Sequence, residues 1–109
     1  MANAAARGQQ LKEGLGRLRR RHAEVGDVRG LGLMVAMDVV RPGDPSALDP
    51  AGRDQVVQAA FRRGLLLLGC GEAAVRFCPP LCVTARQVDK ALEILDEVLD
   101  ARHAEKVAV

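Results

Sequence analysis

Aromatic residues are almost missing from this chain: it has no tryptophan and no tyrosine, and Phe61 and Phe77 are its two phenylalanines. Proteins that hold single-stranded nucleic acid stack bases on aromatic platforms, and two phenylalanines build none. Hydroxyls are as scarce, with Ser46 and Thr84 alone. Ser46 lies in the Pro- and Asp-rich stretch PGDPSALDP, outside any strand-to-helix elbow that would expose a nucleophilic serine. Long apolar runs are absent too. Leu33–Met37 and Leu65–Leu68 have the length of strands, far below the roughly 18 apolar residues of a membrane span. The opening MANAAARGQQ has no apolar h-region, so no secretory signal and no membrane association are expected. Cys70, Cys78 and Cys82 form no CxxC pair, which disfavours a zinc ribbon or redox couple. With His22 and His103 they could make a metal site only through long-range folding, and idle thiols in a reducing cytoplasm are the simpler expectation.

What is present describes one small globular domain, or part of one. The chain has 109 residues, of which 49% are hydrophobic and 28% charged, with a net charge of +2. Charge is uneven: residues 1–22 carry six basic groups and one acidic, the rest ten basic and thirteen acidic. Arg17, Arg19, Arg20 and Arg21 dominate the first part. Such a cluster reads either as a phosphate or nucleic-acid patch or as a cationic last helical turn complementing the helix dipole. The missing aromatics and small net charge favour the second, and no nucleic-acid partner is expected.

The spacing of Leu11, Leu15 and Leu18 predicts a helix over 4–22, capped by Asn3, with Gly26 and Asp27 breaking the pattern. Dense β-branched and apolar residues predict a strand over 33–40, with Gly30 and Gly32 as a bend or bulge before it. Residues 41–49 read as a loop punctuated by Pro42, Gly43, Asp44 and Pro45. Asp49-Pro50 is an N-cap followed by proline at the first helical position. That helix runs to Arg63 with Val56, Val57, Ala60 and Phe61 inward, and Gly64 stops it. A short buried strand at 65–68, a turn at 69–72 and a strand at 74–77 follow. Thr84 and Gln87 form a capping box for a helix over 85–102, after which 103–109 is expected to fray. The fold class is therefore α+β: a small, mostly antiparallel sheet with helices packed on one face. The uncovered face is expected to be rich in Leu, Val and Met and to meet a partner.

Three side chains are candidates for chemistry. Arg76 alternates with Val75 and Phe77, so it points to the opposite face. A rigidly held guanidinium can take a carboxylate through two parallel charge-assisted hydrogen bonds. The competing reading is a structural pair with Asp or Glu, or an arginine in water. Arg29, beside Gly30, has the same two readings. Glu72, after the Gly69-Cys70-Gly71 turn, could serve as a base, and equally as a solvated turn carboxylate.

Three ordered segments carry a resemblance: Gly26-Asp27-Val28-Arg29-Gly30-Leu31-Gly32-Leu33-Met34, Gly64-Leu65-Leu66-Leu67-Leu68-Gly69-Cys70-Gly71 and Val75-Arg76-Phe77-Cys78-Pro79-Pro80-Leu81. Together they resemble the C-terminal domain of class III, fold-type I aminotransferases, and within them the 4-aminobutyrate aminotransferase-like branch. The resemblance implies that residues 1–109 are a C-terminal small domain whose large domain, the binder of pyridoxal 5′-phosphate (PLP), is absent. It implies a cytoplasmic homodimeric parent that moves an amino group from an amino acid or ω-amino acid to a 2-oxo acid. In that family the cofactor forms a Schiff base with a lysine of the large domain, and the arginine before the Pro-Pro segment holds a substrate carboxylate or pairs with an active-site acid. Arg76 matches that position and is the one substrate-binding residue carried over. Lys12, Lys90 and Lys106 match no cofactor lysine, so no catalytic or cofactor-binding residue is assigned, and the chain alone is expected to be inactive. The alternatives are the same domain from a PLP-dependent amino-acid racemase, or a stand-alone α+β module that binds a small acidic metabolite.

Overall fold

Among the described residues, three helices lie on one side of a five-stranded antiparallel sheet. The computed structural model describes residues 2–32, 34–42, 44–77 and 83–108, and for Ala2, Leu31, Pro45 and residues 103–108 the backbone alone. The order is α1 (Ala2–Arg21), β1 (Val25–Leu31), β2 (Met34–Arg41), β3 (Asp44–Leu48), α2 (Pro50–Arg62), β4 (Leu68–Cys70), β5 (Ala74–Phe77) and α3 (Ala85–Ala108). The sheet runs β1-β2-β5-β4, with β3 folded back on the end of β2.

The core lies between sheet and helices. Leu11, Leu15 and Leu18 of α1 and Leu92, Leu95 and Leu99 of α3 meet Val35, Met37, Val39 and Val75 from the sheet, all buried. Burying each such side chain contributes about 1.5–3 kcal/mol before its entropy cost. Lys12 donates to the Gly30 carbonyl at 3.2 Å and joins α1 to β1. Near it α1 passes so close to the β1–β2 turn that a Cβ on Gly8 would collide with the Gly32 carbonyl.

The helix ends follow local chemistry. Asp49 accepts from the Gly52 amide at 3.0 Å, with proline in the first turn of α2. Gly64 follows α2 at φ +90°, a left-handed conformation that costs a side chain but not glycine. Thr84 and Gln87 make the reciprocal capping box, at 2.9 and 3.1 Å.

Several sequence expectations are corrected. Residues 25–31 form a full strand, paired antiparallel with β2 from Val25↔Val39 to Leu31↔Met34 across an irregularity between Val25 and Val28. Two glycines, an aspartate and an arginine hide its strand character, which tertiary pairing imposes. The loop expected over 41–49 contains β3, where Val40 opposes Leu48. Asn3 lies inside α1 rather than at its cap, and its Nδ2 donates to the Val83 carbonyl at 3.0 Å. The four-leucine run is not a buried strand: Leu67 is buried, Leu66 and Leu68 are exposed, and the ladder begins at Leu68. Phe61 is 67% exposed rather than inward. Helix α3 continues to Ala108, past the expected fraying point. Cys78 and Cys82, with Pro79 and Pro80, lie outside the described residues, as do the side chains of His103 and Lys106.

Candidate functional site

The sheet face turned away from the helices is built by period-two alternation. On β2 Val35, Met37 and Val39 enter the core, so Met34, Ala36 and Asp38 take the other face; the alternation ends at Val40, which is buried as well. On β5 Val75 and Phe77 are buried and Arg76 is exposed. The ladder aligns four residues in one row across this face: Arg29 opposes Ala36, Ala36 opposes Arg76, and Arg76 opposes Leu68. Two strand spacings set the backbones of Arg29 and Arg76 about 10 Å apart.

The two arginines of that row have different fates. The Arg29 guanidinium lies 3.1 Å from Asp38 and 3.5 Å from Asp27. The hydrogen bond to Asp38 raises the Arg29 pKa above its ordinary value, opposed by burial and helped by the charges of Asp38 and Asp27. Arg29 is thus the structural pair of its two readings. Arg76 forms no hydrogen bond or ion pair among the described residues. Its neighbour Leu68 is 43% exposed, and Met34, the next residue along the Ala36 side of β2, is 63% exposed. Among the described residues Arg76 is an unpaired cation with Ala36 and Leu68 directly across from it and Met34 and Asp38 as its diagonal neighbours on β2, Asp38 being already held by Arg29. That arrangement can receive an anionic group and shed water as it does so, which strengthens a charge pair.

Arg76 is placed from both neighbouring strands. Arg53 of α2, only 14% exposed in its side chain, donates from Nη1 to the carbonyls of Cys70 and Ala74 at 3.2 and 3.0 Å. It clamps both sides of the β4–β5 turn, two residues from Arg76. Its Nε is held by Asp54 at 2.8 Å. Sequence reasoning missed Arg53 and Asp38. Asp38 was detectable from the β2 alternation once β1 was known to be a strand. No sequence signal separates Arg53 from a solvated helix arginine.

The remaining candidates separate from this face. Glu72 sits exposed in the turn before β5, as a solvated carboxylate. Arg21 binds Asp96 at 2.6 Å and approaches Asp100 at 3.7 Å, so the basic end of α1 is partly neutralised by α3. His22, 5% exposed, holds Asp96 at 2.7 Å and lies 3.8 Å from both Asp100 and Glu24. The hydrogen bond from His22 is the main cause of a lowered Asp96 pKa, with burial opposing and Arg21 assisting. His22, Asp96 and Asp100 bring three potential ligand atoms together, but Arg21 already supplies a cation to both carboxylates. Cys70 is a free, half-buried thiol.

Known proteins share this architecture. The 4-aminobutyrate aminotransferase of Escherichia coli K12 is 38% identical over 95 residues, covering 85% of this chain and 22% of that enzyme. The 5-aminovalerate aminotransferase of Pseudomonas aeruginosa is 36% identical over 102 residues, covering 92% of this chain and 24% of its own length. The chain thus spans under a quarter of these relatives. A phospholyase from Arthrobacter in complex with phosphoethanolamine superposes with a TM-score of 0.87 at 26% identity, covering 92% of this chain and 24% of that one. An amine transaminase from an uncultivated Pseudomonas species, in its PLP-bound internal aldimine form, gives 0.79 at 36% identity over 91% of this chain and 23% of that one. The family model of class-III aminotransferases matches residues 1–99, and the chain belongs to the class III aminotransferase family.

Proposed function

We infer that this chain is the small C-terminal domain of a PLP-dependent aminotransferase and that Arg76 grips a substrate carboxylate. The observation that carries the reading is the uncommitted guanidinium on the open sheet face, set between Ala36 and Leu68, in a chain matched to the family over residues 1–99. An amino acid or ω-amino acid donor and a 2-oxo acid acceptor both carry a carboxylate, so one arginine serves both halves of an amino transfer. Arg76 offers it two parallel N–H donors. Asp38 and Asp27 keep Arg29 occupied, so a ligand meets one free cation rather than two.

The cofactor does not fit the described residues. Lys12 is used on the Gly30 carbonyl, and Lys90 pairs with Glu93 at 3.7 Å on an exposed helix face. A lysine that condenses with a carbonyl needs a free amine in a water-excluded pocket, whereas Lys12 is committed to a backbone carbonyl and Lys90 stands in water. The reading therefore assigns PLP and the reacting lysine to a large domain of the parent enzyme, a cytoplasmic homodimer as the family resemblance implies. Exposed Met34, Leu66 and Leu68 give that large domain an apolar surface to cover.

Two experiments test this. The purified 109-residue chain mixed with PLP should give no amino transfer, and turnover by it would refute the division of labour. In the parent enzyme, Arg76→Ala should lower kcat/KM for carboxylate substrates by roughly 30-fold to several thousand-fold, as expected for truncating one partner of a buried charge pair. Unchanged KM and kcat would remove Arg76 from the site.

A further inference from the structure

A second charged cluster closes the junction of α1, β1 and α3. His22 directly follows α1 and is 5% exposed. Its Nε2 lies 2.7 Å from Asp96 Oδ1 and 3.8 Å from Asp100 Oδ1. Asp96 and Asp100 are four residues apart on α3, so both carboxylates reach the same edge of the ring. One ligand atom from each of the three residues lies within 4.8 Å of the others. Arg21 does not fill the point between them. Its Nη1 binds Asp96 Oδ2 at 2.6 Å and its Nη2 approaches Asp100 Oδ2 at 3.7 Å, so it occupies the other oxygen of each carboxylate.

Glu24 stands at the opposite edge of the imidazole and is 3% exposed. Its Oε1 is 3.8 Å from His22 Nδ1, beyond hydrogen-bond reach, and its carboxylate has no other partner among the described residues. A buried carboxylate without a donor is costly, and a hydrogen on Nδ1 is the nearest relief. With that hydrogen on Nδ1, the Nε2 lone pair of a neutral ring faces two carboxylate oxygens, and a cation between them turns repulsion into attraction. The charges agree. Three carboxylates surround the ring, and Arg21 is the one cation paired with them, which leaves two negative charges unbalanced around a neutral imidazole.

We propose that His22 Nε2, Asp96 and Asp100 form a binding site for a divalent cation of the zinc class, with Glu24 orienting the imidazole from Nδ1. An imidazole nitrogen and two carboxylate oxygens suit zinc, whereas magnesium and calcium take oxygen ligands alone. A carboxylate on the far nitrogen of a ligating histidine fixes its tautomer and makes it a better donor, which gives the buried Glu24 a role. Three protein ligands leave a fourth tetrahedral position for water, and Asp100, 57% exposed in its side chain, opens the site to solvent. The bound metal ties α3 to the junction of α1 and β1. The site is independent of the role given to Arg76.

Titration calorimetry of the 109-residue chain with zinc chloride tests it. One saturable site is expected, with a rise in Tm that magnesium chloride at the same concentration does not reproduce. The surface variant Asp100→Ala should weaken zinc at least about tenfold with the fold intact. Glu24→Gln, which keeps the shape of the buried side chain, should weaken it about 10- to 100-fold. Cobalt in place of zinc should show no sulfur-to-metal charge-transfer band, because no thiol belongs to the ligand set. No zinc heat beyond that of magnesium overturns the site, as does undiminished affinity in either variant. A cobalt–sulfur band also overturns it, by placing the metal on the cysteines.

Discussion

The two faces of this sheet are made by the same strands and obey opposite rules. On the covered face Val35, Met37, Val39 and Val75 are completely buried, and neighbouring residues are interchangeable in kind if not in volume. On the open face Arg29, Asp38, Arg76 and Leu68 are each distinct, and two cations in one row differ because Arg29 is paired with Asp38 and Asp27 whereas Arg76 has no ion pair among the described residues. Adjacent residues on β5 make the contrast sharpest: Phe77 is 5% exposed and Arg76 lies on the other side. The covered face sets stability, whereas the open face is assigned ligand binding.

The largest expected effect comes from the covered side. Phe77→Ala should cost about 3–5 kcal/mol in urea unfolding, and a cost below about 1 kcal/mol would show that β5 is not part of the core. Gly8→Ala comes next. Its methyl meets the Gly32 carbonyl, so α1 must move off the β1–β2 turn, at about 1–3 kcal/mol by the same measurement. A smaller effect is acid-dependent. Because the Asp96 pKa is lowered in the folded chain, its contribution is fully present above the unfolded pKa of about 4 and fades as pH falls through the depressed folded value. Asp96→Asn should therefore lower stability at neutral pH and flatten its decline below about pH 4, by about 1 kcal/mol for a partly buried pair. A decline as steep as in the parent chain would release Asp96 from its pairing with His22. Smallest of all, Arg76→Ala should change stability by no more than about 0.5 kcal/mol. A larger loss would make Arg76 a structural residue and erase the difference between the faces.

Elements with strong local signals were legible in the sequence. The leucine spacing in α1, the Asp49-Pro50 start of α2, the Thr84–Gln87 box of α3 and the outward turn of Arg76 each depend on residues within a few positions. What depends on distant partners was not legible. Strand β1 exists because β2 has an edge to pair, despite its own Gly26, Asp27 and Gly30. The burial of Leu67 between exposed Leu66 and Leu68 reflects a sheet covered on one side, which a run of identical leucines cannot express. The open face was expected to be rich in Leu, Val and Met; Met34 and Leu68 do stand exposed, but alternation sends Val35 and Val39 inward and sets Ala36 and Asp38 beside Met34. The pairing of Arg29 with Asp38 joins two strands, and the Arg53 clamp joins a helix to a turn across seventeen residues or more. Neither contact has a local signature.

The most direct measurement compares two substrates in the parent enzyme: an amino acid it accepts and the alkylamine of the same length lacking the carboxylate. If Arg76 grips that carboxylate, Arg76→Ala lowers kcat/KM for the amino acid by roughly 30-fold or more and leaves the alkylamine unchanged, so the preference between them collapses. Equal losses on both substrates, or a preference that survives intact, would contradict the account.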